Sequence, residues 1–371
     1  MNDTHIPVYQ PSMLGNEKKY VNDCLDSNWI SSKGAYIERF EDAFSAKLGV
    51  KNAATTSNGT VALHLALLAA GIGEGDEVIV PTLTYIASVN CIKYAGAKAI
   101  FADSCVDTWQ IDPKSIESKI TDKTKAIMVV HLYGGACDMD AILKIAEKYQ
   151  LYIIEDCAEA FGTTYKKKYV GTGGHIACFS FYGNKTITTG EGGMVVTNDQ
   201  TLFDRVVHFR GQGLAAYRQY WHDVIGYNYR MTNICAAIGL AQLEQADDIF
   251  ARKKDIANFY LNNLSHLPLD FQSAGENISH SYWMFSILTK SARERDALCL
   301  HLKSKSIETR PIFYPVHTMP MYSARFERFV VAEDIGWRGL NLPSWPGLSD
   351  AQLTYITECI GEFFRGRTTG K

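Results

Sequence analysis

Short apolar runs alternate with amphipathic segments through the first half of the chain. Seven runs have the composition of buried strands, at residues 52–56, 77–80, 99–101, 126–131, 152–155, 176–181 and 194–197. Helical periodicity falls between several of them, at residues 61–70, 86–95 and 141–149. Strands that alternate with helices in this way predict a mainly parallel sheet with helices on both faces.

The pattern of apolar runs changes from about residue 232 onward. A long helical stretch at residues 232–260 is predicted to join two domains. Beyond it, strands at 283–288 and 309–312 and helices at 293–305 and 350–364 predict a smaller α+β unit. We therefore predict a large sheet domain over residues 12–245 and a small C-terminal domain over residues 246–371, with residues 1–11 packing alongside.

Composition narrows the class of protein without identifying it. The 371 residues are 46% hydrophobic and 21% charged, which is enough for a large core, and the net charge of −3 favours neither nucleic acid nor an anionic membrane as a partner. We find neither a signal-peptide pattern nor a long apolar run of membrane-spanning type. The nine cysteines form no CxxC pair, which disfavours a zinc knuckle or a disulfide framework. These features predict a cytoplasmic protein.

A candidate phosphate site lies at the start of the helix that follows the first predicted strand. It consists of Ser57, Asn58, Gly59 and Thr60. A helix N-terminus offers free backbone N–H groups and a partial positive charge, and small residues let a phosphate approach closely. The same residue types are also ordinary helix caps, so the segment alone fits either interpretation.

Two further candidates come after predicted strands. Tyr85 lies in the loop after the second strand, where ligands of parallel sheets bind and where an aromatic ring can cover a flat cofactor; simple packing is the alternative. Asp156 ends the strand near residue 155 and could hold a protonated ring nitrogen by a charge-assisted hydrogen bond, or cap the following turn. Neighbouring Glu155 and Glu159 invite a magnesium interpretation, but no second carboxylate cluster supports it, and we predict no metal.

The candidate nucleophile is Lys185, in a loop that begins at Ser180 after an apolar strand. Burial would lower the pKa of its amine and free the lone pair, although most lysines are simply solvated. Asn184 separates Gly183 from the lysine, so the segment is not a phosphate-binding P-loop. A pyridoxal phosphate site needs a loop that binds the phosphate, a side chain that covers the ring, an acid that holds the ring nitrogen and an amine that binds the aldehyde. The four candidates supply these parts in this order along the chain.

With these motifs the chain resembles the DegT/DnrJ/EryC1/StrS family of sugar aminotransferases. The resemblance rests on Ser57-Asn58-Gly59-Thr60, on Glu155-Asp156 and on the segment from Ser180 to Thr186 followed by Gly190-Glu191-Gly192-Gly193. It covers nearly the whole chain and implies the aspartate-aminotransferase fold (fold type I), with a large, mainly parallel seven-stranded sheet. It also implies pyridoxal 5′-phosphate as cofactor and a homodimer with a shared active site.

The resemblance implies a role for each candidate. Lys185 would bind the cofactor's aldehyde, Asp156 its ring nitrogen, and Tyr85 would stack on its ring. Ser57, Asn58, Gly59, Thr60 and Ser180 would surround the phosphate, and Asn228 would reach the phosphate of the neighbouring subunit. Glu159 would lie near the ring's phenolic oxygen, where many relatives carry Gln. Arg230, Arg310, Tyr314 and His317 are predicted substrate contacts, each with packing or ion pairing as the alternative.

The resemblance also implies a reaction. Residues 310–322 point to members that use L-glutamate to aminate a GDP-linked 4-keto-6-deoxysugar for O-antigen synthesis, and a dTDP- or UDP-linked ketosugar is the alternative. A related branch removes a sugar hydroxyl and carries His in place of the lysine, so Lys185 favours transamination. A regulator that binds the cofactor without turnover is a further alternative, disfavoured because such a protein has no need of Lys185.

Overall fold

The computed structural model describes residues 5–323 and 327–368. Residues 1–4, which begin the predicted N-terminal segment, and residues 324–326 and 369–371 of the predicted C-terminal domain lie outside the described residues. None of the described helices is long and apolar enough to cross a membrane.

The described residues form helices and strands along the whole chain. The helices are α1 (Glu17–Asp26), α2 (Ala35–Leu48), α3 (Gly59–Ala69), α4 (Ala87–Tyr94), α5 (Pro113–Glu117), α6 (Met139–Tyr149), α7 (Gln200–Arg210), α8 (Asn233–Glu244), α9 (Ala246–Leu264), α10 (Ala292–Ser304), α11 (Val330–Arg338) and α12 (Asp350–Thr368). The strands are β1 (Asn52–Thr56), β2 (Glu77–Pro81), β3 (Lys98–Ala102), β4 (Thr124–Val130), β5 (Tyr152–Asp156), β6 (Thr164–Tyr165), β7 (Lys168–Tyr169), β8 (Ile176–Ser180), β9 (Gly193–Thr197), β10 (Asp270–Phe271), β11 (Ile278–Ser279), β12 (Phe285–Leu288), β13 (Arg310–Pro311) and β14 (Gly339–Leu342).

A seven-stranded sheet carries the larger part of the molecule, in the order β1-β9-β8-β5-β4-β2-β3. Strands β3, β2, β4, β5 and β8 pair in parallel, whereas β9 is antiparallel to both of its neighbours. The prediction of a mainly parallel sheet is confirmed. Parallel strands end at one common edge, so the residues that follow β2, β5 and β8 are brought together there.

The C-terminal part is built on a second, antiparallel sheet in the order β10-β12-β14-β13. The N-terminal segment joins it, because the Ile6 amide donates to the Ser306 carbonyl at 2.9 Å and the Glu308 amide donates back to the Ile6 carbonyl at 2.8 Å. A further short sheet, β11-β6-β7, is separate from the two larger sheets. The domain boundary near residue 245 stays a prediction.

The predicted helix at residues 232–260 is wrong as one element. The structure breaks it at Gln245 into α8 and α9, and Gln245 has φ −102° and ψ 5°. Apolar residues continue through the break, since Leu243 and Ala246 are both buried in the core. The pattern of buried positions therefore continues across the break at Gln245 and does not reveal it.

An aromatic cluster joins α2 to the strands that present the lysine loop. Phe44, which is fully buried, lies with its ring 5.1 Å from the rings of Phe161 and Phe179 and 5.4 Å from that of Phe181. Phe179 belongs to β8, and Phe181 follows that strand directly. The packing of α2 therefore fixes the end of β8, from which the loop to Lys185 starts.

Phe44→Ala is expected to destabilise the protein by about 3–5 kcal/mol, because it leaves a cavity inside a closely packed aromatic cluster. The measurement is urea unfolding followed by far-UV circular dichroism. Leu300→Ala, on the exposed face of α10, is the control and should change the unfolding free energy by less than about 0.5 kcal/mol. Equal effects of the two substitutions would contradict the role of the cluster.

Candidate active site

The N-terminus of α3 lies where the sequence predicts a phosphate site. Asn58 is its cap, with the side-chain oxygen accepting from the Val61 amide at 3.0 Å, so the capping interpretation holds for this residue. Within the described residues the amides of Gly59 and Thr60 have no hydrogen-bond acceptor. A Cβ on Gly59 would lie 2.7 Å from the Cβ of Ser180, so only glycine allows the helix to approach the end of β8 this closely.

Asp156 ends β5 at the same edge of the sheet and is 4% exposed. One carboxylate oxygen accepts from the Ser88 hydroxyl at 2.7 Å, and the other from the Ala158 amide at 3.0 Å. Burial raises the pKa of Asp156, and these two donors and the charge of Lys185 partly offset the rise. Each oxygen keeps a lone pair for one more N–H donor.

Lys185 is half-buried and shares this pocket with two carboxylates. Desolvation lowers the pKa of its amine, while the nearby charges of Glu159 and Asp156 act in the opposite direction. Glu159 is 3% exposed and accepts from the Tyr133 amide at 2.9 Å. Burial raises the pKa of Glu159 to about 7. The structure thus brings Lys185, Asp156 and Glu159 together as one electrostatic cluster.

A row of four aromatic rings runs from the amine of Lys185 to Tyr85. Trp283 lies under the amine, with 3.9 Å from Nζ to the ring centroid. Tyr133 stacks 6.0 Å from Trp283 and 5.2 Å from Phe313, and Phe313 lies 5.5 Å from Tyr85. Tyr85 itself is 55% exposed, as a ring that covers a ligand at the mouth of a pocket would be.

Asn228 is predicted to reach the phosphate of a neighbouring subunit, and Arg230 is predicted to contact substrate. Both side chains are exposed. Asn228 pairs with Gly211 in an isolated bridge, and the carbonyl of the adjacent Tyr229 accepts from the Ser57 amide at 2.8 Å. The segment is therefore attached to the start of the Ser57–Thr60 segment of its own chain, while the side chains of Asn228 and Arg230 are exposed. Its role stays a prediction.

The three substrate contacts predicted from the C-terminal part lie in different surroundings. His317 is buried, with Nδ1 2.7 Å from the Thr82 hydroxyl and Nε2 3.2 Å from Glu333, so both ring nitrogens have protein partners. Arg310 is exposed and pairs with Glu308 at 3.4 Å. Tyr314 is 36% exposed, with its ring 5.0 Å from that of Trp337. Arg310 and Tyr314 are therefore more accessible than His317.

A buried cluster behind the site accounts for Glu155, the acidic residue next to Asp156 in the motif. His131, Glu155 and Cys157 lie close together, but the Glu155 carboxylate already accepts from His131 at 2.9 Å and from the Gly171 amide at 2.7 Å. The Cys137 amide donates to the other nitrogen of His131 at 3.1 Å, so both ring nitrogens have protein partners. A fully used carboxylate of this kind fixes the loop at residues 171–174 and does not suit a metal.

Sequence reasoning missed four residues of the site. The Ser88 hydroxyl donates to Asp156, and the backbone amide of Tyr133 donates to Glu159. The Trp283 ring lies under Lys185, and the Tyr9 hydroxyl donates to the Lys185 carbonyl at 2.6 Å. Only Tyr133 carries a local signal, a cluster of Gly134 and Gly135 beside it, which suits its left-handed φ of 57°. The others come from elements distant in the sequence.

The sequence pattern of the DegT/DnrJ/EryC1/StrS aminotransferases matches residues 11–361. The chain belongs to this family. It is 66% identical to GDP-perosamine synthase of Escherichia coli O157:H7 and 51% identical to GDP-perosamine synthase of Vibrio cholerae, covering 97% of this chain and 99% of the relative in both cases. These identities confirm the narrower resemblance that residues 310–322 indicated. Spr1654 of Streptococcus pneumoniae, solved in a PLP form, superposes with a TM-score of 0.93 at 27% identity, covering 98% of this aminotransferase and 99% of that chain.

The family and the PLP-form neighbour indicate that this aminotransferase depends on pyridoxal phosphate. The fold of the solved neighbour also agrees with the predicted fold type I architecture.

The free energy of unfolding is expected to fall when the carboxyl of Glu159 ionises, and Glu159→Gln should abolish this contribution. The pKa of Glu159 is about 7 in the folded protein against an ordinary 4.5, so the unfolded chain releases the proton first. The free energy of unfolding therefore falls as the pH rises through this window. The Gln variant has no such proton, and its urea midpoint, measured on cofactor-free protein from about pH 5 to 8, should fall less.

The control for this experiment is Glu358→Gln, which changes an exposed carboxylate on α12 and should keep the wild-type dependence on pH. Parallel curves for wild type and Glu159→Gln would show that Glu159 is ionised in both states.

Proposed function

We propose that this protein is a pyridoxal-phosphate-dependent aminotransferase that converts GDP-4-keto-6-deoxymannose into GDP-perosamine with L-glutamate as amino donor. The observation that carries the proposal is the pocket in which the desolvated amine of Lys185 lies beside Asp156 and Glu159, at the sheet edge that also holds the N-terminus of α3. The names of the two relatives at 66% and 51% identity support the sugar and the nucleotide.

The residues of the pocket fit pyridoxal phosphate. The unpartnered amides of Gly59 and Thr60, with Ser57 and Ser180 beside them, suit a phosphate at a helix N-terminus. The buried carboxylate of Asp156 suits a protonated ring nitrogen, and the amine of Lys185 suits an aldehyde. Tyr85, at the exposed end of the aromatic row, is positioned to cover a flat ring.

The chemistry then divides between the cofactor and the chain. When bound, the cofactor supplies an electron sink for a carbanion at the carbon next to nitrogen. Lys185 removes the proton from the α-carbon of glutamate and later returns one to C4 of the sugar, as base and then acid. Its lowered pKa makes the free amine more available as a base than an exposed lysine. Asp156 keeps its partner nitrogen protonated by charge.

Glu159 has a distinct part in this arrangement. Many relatives carry Gln at this position, whereas the carboxyl of Glu159 has a pKa near the working pH. Protonated, it donates a hydrogen bond as Gln would; ionised, it stabilises the ammonium form of Lys185. We therefore assign it the adjustment of the lysine's charge, in addition to contact with the ring oxygen.

The active site belongs to a homodimer in this proposal. The exposed side chains of Asn228 and Arg230 face away from their own subunit, on a segment held to the phosphate loop by the bond from Ser57 to Tyr229. A subunit that presents Asn228 outward completes the phosphate site of its neighbour, and substrate would lie between the subunits near Arg310 and Tyr314.

Lys185→Ala should abolish both cofactor attachment and turnover. The visible absorbance band of protein-bound pyridoxal phosphate is expected to disappear, and release of 2-oxoglutarate from glutamate should fall by at least about a hundredfold, because the base is gone. Lys167→Ala, at the exposed turn between β6 and β7, is the control and should leave both unchanged. A retained band with full activity would exclude Lys185 as the catalytic amine.

The substrate is tested with GDP-4-keto-6-deoxymannose and its dTDP- and UDP-linked counterparts, each with glutamate. Mass spectrometry should show replacement of the carbonyl oxygen by an amino group in the GDP-linked sugar alone. If that sugar is inert and another nucleotide sugar reacts, the assignment of the nucleotide is wrong while the transaminase assignment survives. Loss of the sugar's 3-hydroxyl instead of amination would favour a dehydratase.

A further inference from the structure

Two successive carbonyl groups of the lysine loop are held by aromatic side chains from outside the large sheet. The Trp283 indole N–H donates to the Asn184 carbonyl at 2.6 Å, and the Tyr9 hydroxyl donates to the Lys185 carbonyl at 2.6 Å. Trp283 precedes β12 of the C-terminal sheet, and Tyr9 belongs to the N-terminal segment. The backbone of the lysine is therefore fixed by two parts of the chain that the large sheet does not contain.

Trp283 is itself fixed at its backbone. The amine of Lys253, a fully buried residue of α9, donates to the Trp283 carbonyl at 3.0 Å and to the Ser344 carbonyl at 2.6 Å. The indole also stacks on Tyr133 with an interplanar angle of 9°. With 4% exposure and partners on every side, Trp283 has little freedom to turn.

The face of this fixed indole is directed at the Lys185 amine. The 3.9 Å between Nζ and the ring centroid lies well inside the range of a cation–π contact, which strengthens when both partners are desolvated. The charged groups that act on the amine are Asp156 and Glu159, and both can accept its proton. An aromatic face attracts the ammonium without accepting a proton from it.

We propose that Trp283 is a positioning residue that binds the ammonium form of Lys185 through its indole face whenever the lysine is free. Resting there, the lysine stays inside the pocket and keeps the proton that it must return to substrate. A third carboxylate at this position would instead compete for that proton. The inference deepens the proposed function and rests on it, since it assigns a resting place to the catalytic amine.

The test measures the pKa of Lys185 in full-length protein freed of cofactor. Isotope-coded acetic anhydride is applied across a range of pH, and mass spectrometry of the peptide that contains Lys185 gives its reactivity relative to exposed Lys51. Trp283→Leu removes the aromatic face and should lower the pKa of Lys185 by about one unit, with Trp283→Phe giving a smaller shift.

Tyr9→Phe is the matched control. It removes the hydrogen bond to the Lys185 carbonyl but leaves the indole in place, so the pKa of Lys185 should stay at the wild-type value. If Trp283→Leu leaves that pKa unchanged, or if Tyr9→Phe lowers it equally, the tryptophan acts through loop packing and the proposal is overturned.

Fluorinated tryptophan placed at position 283 keeps the size and the N–H of the indole while it weakens the negative face of the ring. Should Trp283→Leu not fold, the pKa of Lys185 should still fall stepwise with each added fluorine, and a flat series would reject the proposal. The labelling needs neither cofactor nor substrate. A negative result here therefore leaves the transaminase proposal standing, and an inert sugar assay leaves the labelling result valid.

Discussion

The site depends on the shared desolvation of one amine and two carboxylates. Burial opposes the charged form of each group, lowering the pKa of Lys185 and raising those of Asp156 and Glu159, while their mutual attraction favours the charged forms. Desolvation has the larger effect on each group, and the mutual attraction reduces the resulting pKa shifts. An exposed lysine would lack the desolvation that lowers the pKa of the Lys185 amine.

The sheet creates this pocket through its topology. Parallel pairing of β8 with β5 brings the ends of both strands to one edge, so Ser180 and Asp156 lie there although 23 positions of sequence lie between them. Antiparallel β9 then returns the chain past Asn58, and Gly193 has no room for a side chain beside the Asn58 carbonyl. The Ser57–Thr60 segment, Asp156 and the loop to Lys185 are therefore held together at one edge of the sheet. The aromatic packing around Phe181 supports this edge.

The sequence predicted features that depend on neighbouring residues and missed contacts between elements that are distant along the chain. Buried strands with turns between them gave the large sheet, and residue types next to strand ends indicated Lys185 and Asp156 because their chemistry is specific. Nothing along the chain places Trp283 or Ser88 in the site, since each arrives from a separate element through tertiary packing. His317 shows the converse, because a histidine in a suggestive segment is buried between Thr82 and Glu333.

The contributions of the two sheets to the site differ in kind. In the proposed mechanism the groups that exchange a proton lie at the edge of the large sheet. The C-terminal part and the N-terminal segment supply Trp283 and Tyr9, which hold the backbone of the lysine loop by hydrogen bonds. Lys253 connects Trp283 to α9, because its buried amine donates to the Trp283 carbonyl at 3.0 Å. Separating proton exchange from positioning lets the amine move between partners while the loop that carries it stays in place.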